Sequence, residues 1–218
     1  MSHLHIPDGV LPVWLWASGL GVALVLLALT RSRGAQSGAS VAYRGALGGI
    51  VLLAMAIEIP LGPIEYHLSL VGPVGALLGP AGAFQVMFVV SAILALAGHG
   101  GLTVVGLNAL VLSSGAALAR PLDRALSAKL SPAAALAIST AIAQAVSGLA
   151  WLAILGLALR LAPASHAAPR VAVLAAFALP LWAAGIAAET AVAYGLGRFL
   201  SRVRPDLLPA PPRGMGKS

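Results

Sequence analysis

His67-Leu68-Ser69-Leu70-Val71-Gly72-Pro73-Val74-Gly75-Ala76-Leu77-Leu78-Gly79 is the stretch on which the fold of this chain turns. It is apolar but only about a dozen residues long, whereas a helix needs ~20 residues to cross a bilayer. Whether it crosses sets the side on which every later loop falls. Six clearer apolar runs surround it, at 11–29, 41–59, 81–97, 102–118, 133–159 and 171–200. Each approaches or exceeds the spanning length, the third and fourth being shortest at 17 residues.

Charge decides the matter. With 67–79 in a loop there are six spans, and the 13 Lys and Arg residues divide five against eight, a weak bias. With 67–79 crossing as a short, tilted or protein-buried helix, Arg31, Arg33, Arg44, Arg120, Arg124, Lys129 and five cations of the carboxyl-terminal end share one side. Only Arg160 and Arg170 stay on the other, so the 13 cations split eleven to two. Cytoplasmic loops carry the excess of Lys and Arg, so the second arrangement is favoured. The expected fold is an all-α integral membrane bundle of seven transmembrane helices, the third one short. The amino terminus is expected outside and the carboxyl terminus in the cytoplasm. Residues 1–205 form one transmembrane domain, followed by a cytoplasmic Pro-rich tail at 206–218.

Composition agrees. The chain has 218 residues, 60% hydrophobic and 9% charged, against about 25% charged in soluble domains. The formal net charge of +7 is thus an orienting charge in loops and tail, with nucleic acid excluded as a partner. There is no cysteine, which removes thiolate metal sites, disulfides and cysteine catalysis. The start has no basic n-region and no A-x-A site, so the first apolar run is expected to remain as a span. Pro73 and Pro80 bound or kink the short segment, which fits a helix buried in protein. Gly45-x-x-x-Gly49 and Gly75-x-x-x-Gly79 are spaced for close helix contact, although 25 glycines also produce such spacings by chance.

In the seven-span arrangement all five histidines (His3, His5, His67, His99 and His166) gather outside, with Asp8 and Glu65. Two of them lie within five residues of Met1. An α-amine titrates near ~7.7–8 and an imidazole near ~6.5, so both offer neutral nitrogen at cellular pH. Such donors suit Ni²⁺, Co²⁺, Cu²⁺ and Zn²⁺ better than Mg²⁺ or Ca²⁺. An imidazole at position two or three also closes chelate rings with the amine and a deprotonated backbone amide, a planar set that favours Ni²⁺ or Cu²⁺. The alternative is an ordinary chain start that happens to carry histidine.

His67 follows Pro60-Leu61-Gly62-Pro63-Ile64-Glu65-Tyr66, read as an irregular loop, and opens the short helix. It is either a structural hydrogen-bonding residue or a metal ligand whose second nitrogen is held by Glu65, Tyr66 or a loop carbonyl. Glu189 lies midway along the last run, where an ionisable group is costly and either functional or bonded to a neighbouring helix. Glu58 is expected to brace the outer loop, and Asn108 and Gln144 to join helices by hydrogen bonds. His99, among Gly98, Gly100 and Gly101, reads as a turn; His166, between Pro163 and Pro169, reads as loop. No H-E-x-x-H, G-x-S-x-G or Walker A motif occurs, so an enzyme is not expected and this chain cannot itself hydrolyse ATP.

His5-Ile6-Pro7-Asp8-Gly9 resembles the M-H-I-P-D-G or M-H-I-M-E-G start of the cobalt/nickel substrate-binding subunits (the CbiM/NikM group) of energy-coupling-factor ABC transporters. The resemblance continues at His67, at Leu77-Leu78-Gly79-Pro80, at Gly100-Gly101-Leu102-Thr103 with Gly106-Leu107-Asn108, at Glu189-Thr190 and at Arg204-Pro205-Asp206-Leu207-Leu208. It implies a seven-helix substrate component with the amino-terminal segment inserted into the bundle. It also implies metal held by the terminal amine, by the amide and imidazole of a second-residue histidine, and by a histidine after the second span. Carried over, the two histidines are His5 and His67.

One departure matters: Leu4 stands where the family has its initiator methionine, and it has no free amine. If Met1 is removed, Ser2 supplies the amine and His3 becomes the second residue; if it stays, Met1-Ser2-His3 is a third-position chelate. The expected metal residues are thus His5, His67, His3 and Ser2. The resemblance further implies a coupling membrane (T) subunit, ATPase subunits and a small accessory membrane subunit as partners in the lipid bilayer of the cell (inner) membrane. It implies no permanent cofactor, only transported Ni²⁺ or Co²⁺ destined for cobalamin synthesis or nickel enzymes. A membrane metal sensor or buffer without transport is the rival reading. A vitamin-binding subunit is disfavoured, because it predicts an aromatic-lined pocket and the chain has only 4 Trp, 3 Tyr and 4 Phe.

The chain is free of cysteine, so single introduced thiols report on which side a loop lies. A single Ala125→Cys variant is expected to react with an impermeant thiol reagent only from the cytoplasmic side. Labelling in intact cells would reverse the topology.

Overall fold

The computed structural model describes residue 6 and residues 8–32, 38–57, 59–61, 64–161 and 168–209. Ser2, His3, His5, Glu58, His166 and the end of the tail beyond Pro209 lie outside the described residues. The elements, in order, are α1 (Val13–Ser32), α2 (Gly38–Ala56), β1 (Ile59–Leu61), β2 (Ile64–Tyr66), α3 (Val71–Leu96), α4 (Val105–Leu126), α5 (Pro132–Leu161), α6 (Ala168–Val203) and a 3-10 turn, Pro205–Leu207.

Among the described residues four helices are long and apolar enough to cross a membrane: Val13–Arg31, Val71–Leu96, Val105–Leu126 and Pro132–Ala158. The apolar part of α2, Ser40–Ala56, is shorter. Helix α6 has 36 residues, about 54 Å at ~1.5 Å per residue. Exposed side chains such as Val22, Val25, Val89, Ile93 and Leu149 are those of a surface facing hydrocarbon. A multi-pass membrane protein is the architecture these helices build.

The stretch at 67–79 takes a form that periodicity alone did not give. Residues 67–70 are not helical, and the helix starts at Val71, four residues after His67. Helix α3 is then broken at Gly79, whose φ of 72° and ψ of 178° are non-helical, immediately before Pro80. A positive φ is freely open only to glycine, and Pro80 has no N–H to continue the ladder, so the Gly-Pro pair redirects the chain. The break leaves two arms, 71–78 and 80–96. The first arm is about 12 Å long, well short of a ~30 Å hydrocarbon core. Its residues Val71 to Leu77 are all buried, so it is a protein-buried helix, as Pro73 and Pro80 suggested.

Small residues let this arm enter. A side chain at Gly72 would meet Thr140 of α5, and one at Gly75 would meet the backbone of Ala116 of α4. Helix α4 packs against α1, α3 and α5. It meets α1 at a reciprocal contact, Gly19 against Leu107 and Gly106 against Leu20, and α5 where Gly115 abuts Ala143. Gly45 and Gly49, read as a packing pair, face open space. With Gly48, Val41, Leu52 and Val89 they line a groove of about 420 Å³ between α2 and the second arm of α3.

Two further readings are corrected. Residues read as an irregular loop pair as an antiparallel hairpin, Ile59 opposite Tyr66, Pro60 opposite Glu65 and Leu61 opposite Ile64. β-Branched and aromatic residues at its ends favour extended backbone, and Gly62-Pro63 is turn-forming sequence. The run at 102–118 becomes a helix that starts later, at Val105, and continues to Leu126 with Pro121 inside it. The residues given up at its start have another task, described below.

Close approach at Gly75 is a sharp test of this packing. Gly75→Val would drive methyl groups into the Ala116 backbone, which cannot rotate away. Overpacking of this kind costs ~1–3 kcal/mol. The purified variant is expected to unfold at a lower temperature than Gly45→Val, whose added side chain meets open space.

Candidate metal centre

The segment that begins at Ile6 is drawn into the bundle by two side-chain clamps. Ile6 is 1% exposed. Its N–H donates to Asn108 Oδ1 at 2.8 Å, and its carbonyl accepts from Asn108 Nδ2 at 3.3 Å. One primary amide thus satisfies both backbone groups of a buried residue, which would otherwise cost about 1–3 kcal/mol each. Asn108 was expected to join two helices; it joins α4 to the amino-terminal segment instead.

The second clamp is Asp8. Its Oδ2 accepts the Leu102 N–H at 2.9 Å, and its Oδ1 accepts the Thr103 N–H at 2.9 Å and the Thr103 hydroxyl. Residues 101–104 are withheld from α4 to present these donors. Gly101 is needed because any side chain there would collide with Asp8. The Thr103 hydroxyl is the largest of the influences that hold the Asp8 carboxyl below its usual value of 3.8, with the Thr103 and Leu102 amides adding to it and partial burial opposing it. This pairing explains why Pro7-Asp8-Gly9 and Gly100-Gly101-Leu102-Thr103 occur in one chain. Read separately, the two motifs gave no sign of it.

His67 is buried, 6% exposed, at the end of β2. The non-helical stretch behind it is held from two other helices. Glu189 of α6 is 1% exposed. Its Oε1 accepts the Ser69 N–H at 2.6 Å and the Ser69 hydroxyl at 2.8 Å, and its Oε2 accepts the Leu70 N–H at 3.0 Å. Gln144 of α5 donates through Nε2 to Ser69 Oγ at 2.5 Å. Leu70 has a φ of 53°, a left-handed value costing a non-glycine residue about 1–3 kcal/mol. Ser69 was not singled out from the sequence; its only signal was proximity to His67.

Register and length bring His67 within reach of the half of α4 that holds Ile6. The first arm of α3 runs parallel to α4, since Gly75 meets Ala116 and Gly79 meets Arg120. Val71 therefore lies about one turn before Ala116 on α4, and residues 67–70 span at most about 13 Å. Asn108, which grips Ile6, is one further turn, ~5 Å, toward the start of α4. His99 lies in the turn between α3 and α4 at that end, its N–H bonded to the Leu94 carbonyl at 2.8 Å. Among the described residues no group of three or more His, Asp or Glu side chains forms a metal cage. Of the four expected metal residues His67 is among the described ones, and the clamped Ile6 directly follows His5 in sequence.

Comparison with known proteins follows this geometry. The model of the CbiM family, described as the cobalt uptake substrate-specific transmembrane region, matches residues 5–207. Two solved structures share the fold. One, described as a truncated transition metal transporter, has a TM-score of 0.78 at 20% identity and covers 91% of this chain and 98% of its own. Another, a transition metal transporter, has a TM-score of 0.78 at 19% identity and covers 91% and 93%. No curated protein sequence matches the chain.

The Asp8 clamp carries a pH signature. A carboxylate whose folded-state value lies below 3.8 stabilises the fold fully above the unfolded value, and that contribution is lost as pH falls through the folded one. Wild type is expected to be more stable than Asp8→Ala at pH 7, and the difference in unfolding midpoint to shrink as pH falls below about 4. An unchanged difference at pH 3 would remove the clamp's ionic character.

Proposed function

The chain belongs to the CbiM family, the cobalt uptake substrate-specific transmembrane regions, and on that premise we propose that it is the substrate-binding membrane subunit of an energy-coupling-factor importer for Co²⁺ or Ni²⁺. Metal is captured outside, at the amino terminus and His67, and delivered to the cytoplasm by movement of the bundle. The work comes from separate ATPase subunits acting through a coupling membrane subunit. The observation that carries this reading is the pair of side-chain grips near the start of α4. Asn108 on Ile6 and Asp8 on residues 102–103 hold the two described residues that most closely follow His5 in sequence.

The chemistry follows from the donor types. Amine, amide and imidazole nitrogens suit late first-row divalent ions. His67 supplies an imidazole from a non-helical segment; His5, His3 and the Ser2 amine supply the remainder, with Met1 removed. In the alternative register Met1 keeps the amine and His3 is the third residue. Burial of His67 keeps competing water from the ligand. In the seven-span topology the amino terminus is extracytoplasmic and the carboxyl terminus cytoplasmic. The break at Gly79 supports that count, because it makes two helical arms of one apolar element. Residues 1–205 are then one metal-binding transmembrane unit and 206–218 a cytoplasmic tail.

Calorimetric titration of the purified protein tests the proposal. Wild type is expected to bind Co²⁺ or Ni²⁺ tightly, and His67→Ala to lose more than about 100-fold in affinity while remaining folded. That exceeds the 10–100-fold typical of residues that only support a ligand. Wild-type affinity in His67→Ala would overturn the site. The sensor or buffer reading is separated in cells, where only a transporter gives metal accumulation that depends on ATPase and coupling subunits.

A further inference from the structure

Glu189 is a carboxylate buried in the last helix, yet it belongs to no cluster of metal-ligating side chains among the described residues. Each of its oxygens faces the segment that follows His67. Backbone N–H groups of Ser69 and Leu70 are donors at the start of α3, where no residue of the helix itself supplies a side-chain cap. Glu189 reaches them from 120 positions away in sequence. Ser69 Oγ donates to Glu189 and accepts from Gln144 of α5 and, at 3.4 Å, from the Val71 N–H. Helices α5 and α6 thereby fix the backbone two residues beyond His67, including the left-handed turn at Leu70.

We propose that Glu189, with Ser69 and Gln144 as its relay, is a positioning residue that sets the place of the His67 imidazole. The proposal rests on the reading of His67 as a metal ligand. Without the carboxylate, the two N–H groups are left unmet in an apolar bundle and the strained Leu70 conformation loses the acceptor that its N–H meets. The segment then relaxes to another local arrangement and the imidazole moves with it. Metal coordination tolerates displacements of only ~0.5 Å and 10–20°, so a small relaxation reads out as lost affinity and an altered ligand field.

The carboxylate is not replaceable by its isostere. Glutamine offers one oxygen and one NH₂ group. Whichever way its amide faces, the NH₂ meets a backbone N–H, of Ser69 or of Leu70. Glu189→Gln is therefore expected to behave as a loss of the cap while preserving size and packing.

The experiment uses the full chain in detergent, titrated with Ni²⁺ alone. Calorimetry, the Ni²⁺ ligand-field absorption band and hydrogen exchange of a peptide covering 67–71 are measured on wild type, His67→Ala, Glu189→Gln and Ser69→Ala. Glu189→Gln is expected to bind Ni²⁺ about 10–100-fold more weakly, the size of effect known for groups that orient metal ligands. Its absorption band is expected to shift and its 67–71 amides to exchange faster. Ser69→Ala, which keeps the backbone bonds to Glu189, is expected to show the same changes to a smaller degree. Should Glu189→Gln fail to fold, Ser69→Ala carries the test by the same three readings. Faster exchange with wild-type affinity and an unmoved band would overturn the positioning role while leaving His67 as ligand. Wild-type affinity in His67→Ala would instead overturn the site on which the role depends.

Discussion

Backbone that is not helical cannot lie in hydrocarbon unless protein supplies its hydrogen bonds. This constraint governs the molecule. Two stretches leave the helical ladder where they enter the bundle, Ile6 with Asp8 to Pro12, and His67 to Leu70. The same solution appears in both. A short polar side chain on a long helix turns inward and meets the peptide groups directly, Asn108 for Ile6 and Glu189 for Ser69 and Leu70. Asp8 applies it in reverse, as a carboxylate on the entering segment that gathers two N–H groups from the start of α4. The buried polar residues of the bundle are thus fittings for irregular backbone as much as bonds between helices.

Helical bundles host many functions, and a shared fold does not by itself say which. The solved transporters, at 19–20% identity, therefore speak to the architecture. The family match from residue 5 to 207 speaks to metal uptake. What the geometry adds is a division of labour. Helices α1 and α4, locked by the reciprocal Gly19 and Gly106 contacts, form a rigid side that grips the amino-terminal segment. Helices α5 and α6 hold the segment after His67 through Gln144 and Glu189. The two parts of the proposed centre are thus mounted on different pairs of helices, and the buried first arm of α3 lies between them.

The sequence made the apolar helices plain, because length and hydropathy are local properties. It also placed the break at Leu78-Gly79-Pro80, since a Gly-Pro pair carries its own backbone rule. The start of α3 was less legible. Leu68 and Leu70 run on into the apolar Val71 to Leu77 without a stop signal, and what meets the N–H groups of Ser69 and Leu70 is Glu189, far along the chain. The hairpin at Ile59–Tyr66 was hidden by two prolines, which read as loop although an isolated two-stranded ribbon has room for them at its edges. Among site residues, His67 was visible as an imidazole at a span boundary. Ser69 was not, because its value lies wholly in the Glu189 and Gln144 contacts. Asp8 and Thr103 were each visible within motifs, but their pairing across 95 positions was not.

The reach of Glu189 has a bearing on how the protein is made. Its partner Ser69 lies 120 positions earlier, so the carboxylate does not yet exist when that segment leaves the ribosome. At ~5–20 residues per second, roughly 6–24 s pass before the last helix is synthesised. During that interval the N–H groups of Ser69 and Leu70 must be met by water or by transient partners at the insertion site, even though α4 and α5 are already made and can seat the first arm of α3. The seat beneath His67 is therefore completed only when the chain is nearly finished. A chain truncated before α6 retains most of its apolar helices and the Gln144 bond to Ser69, but it lacks the carboxylate that meets the Ser69 and Leu70 N–H groups.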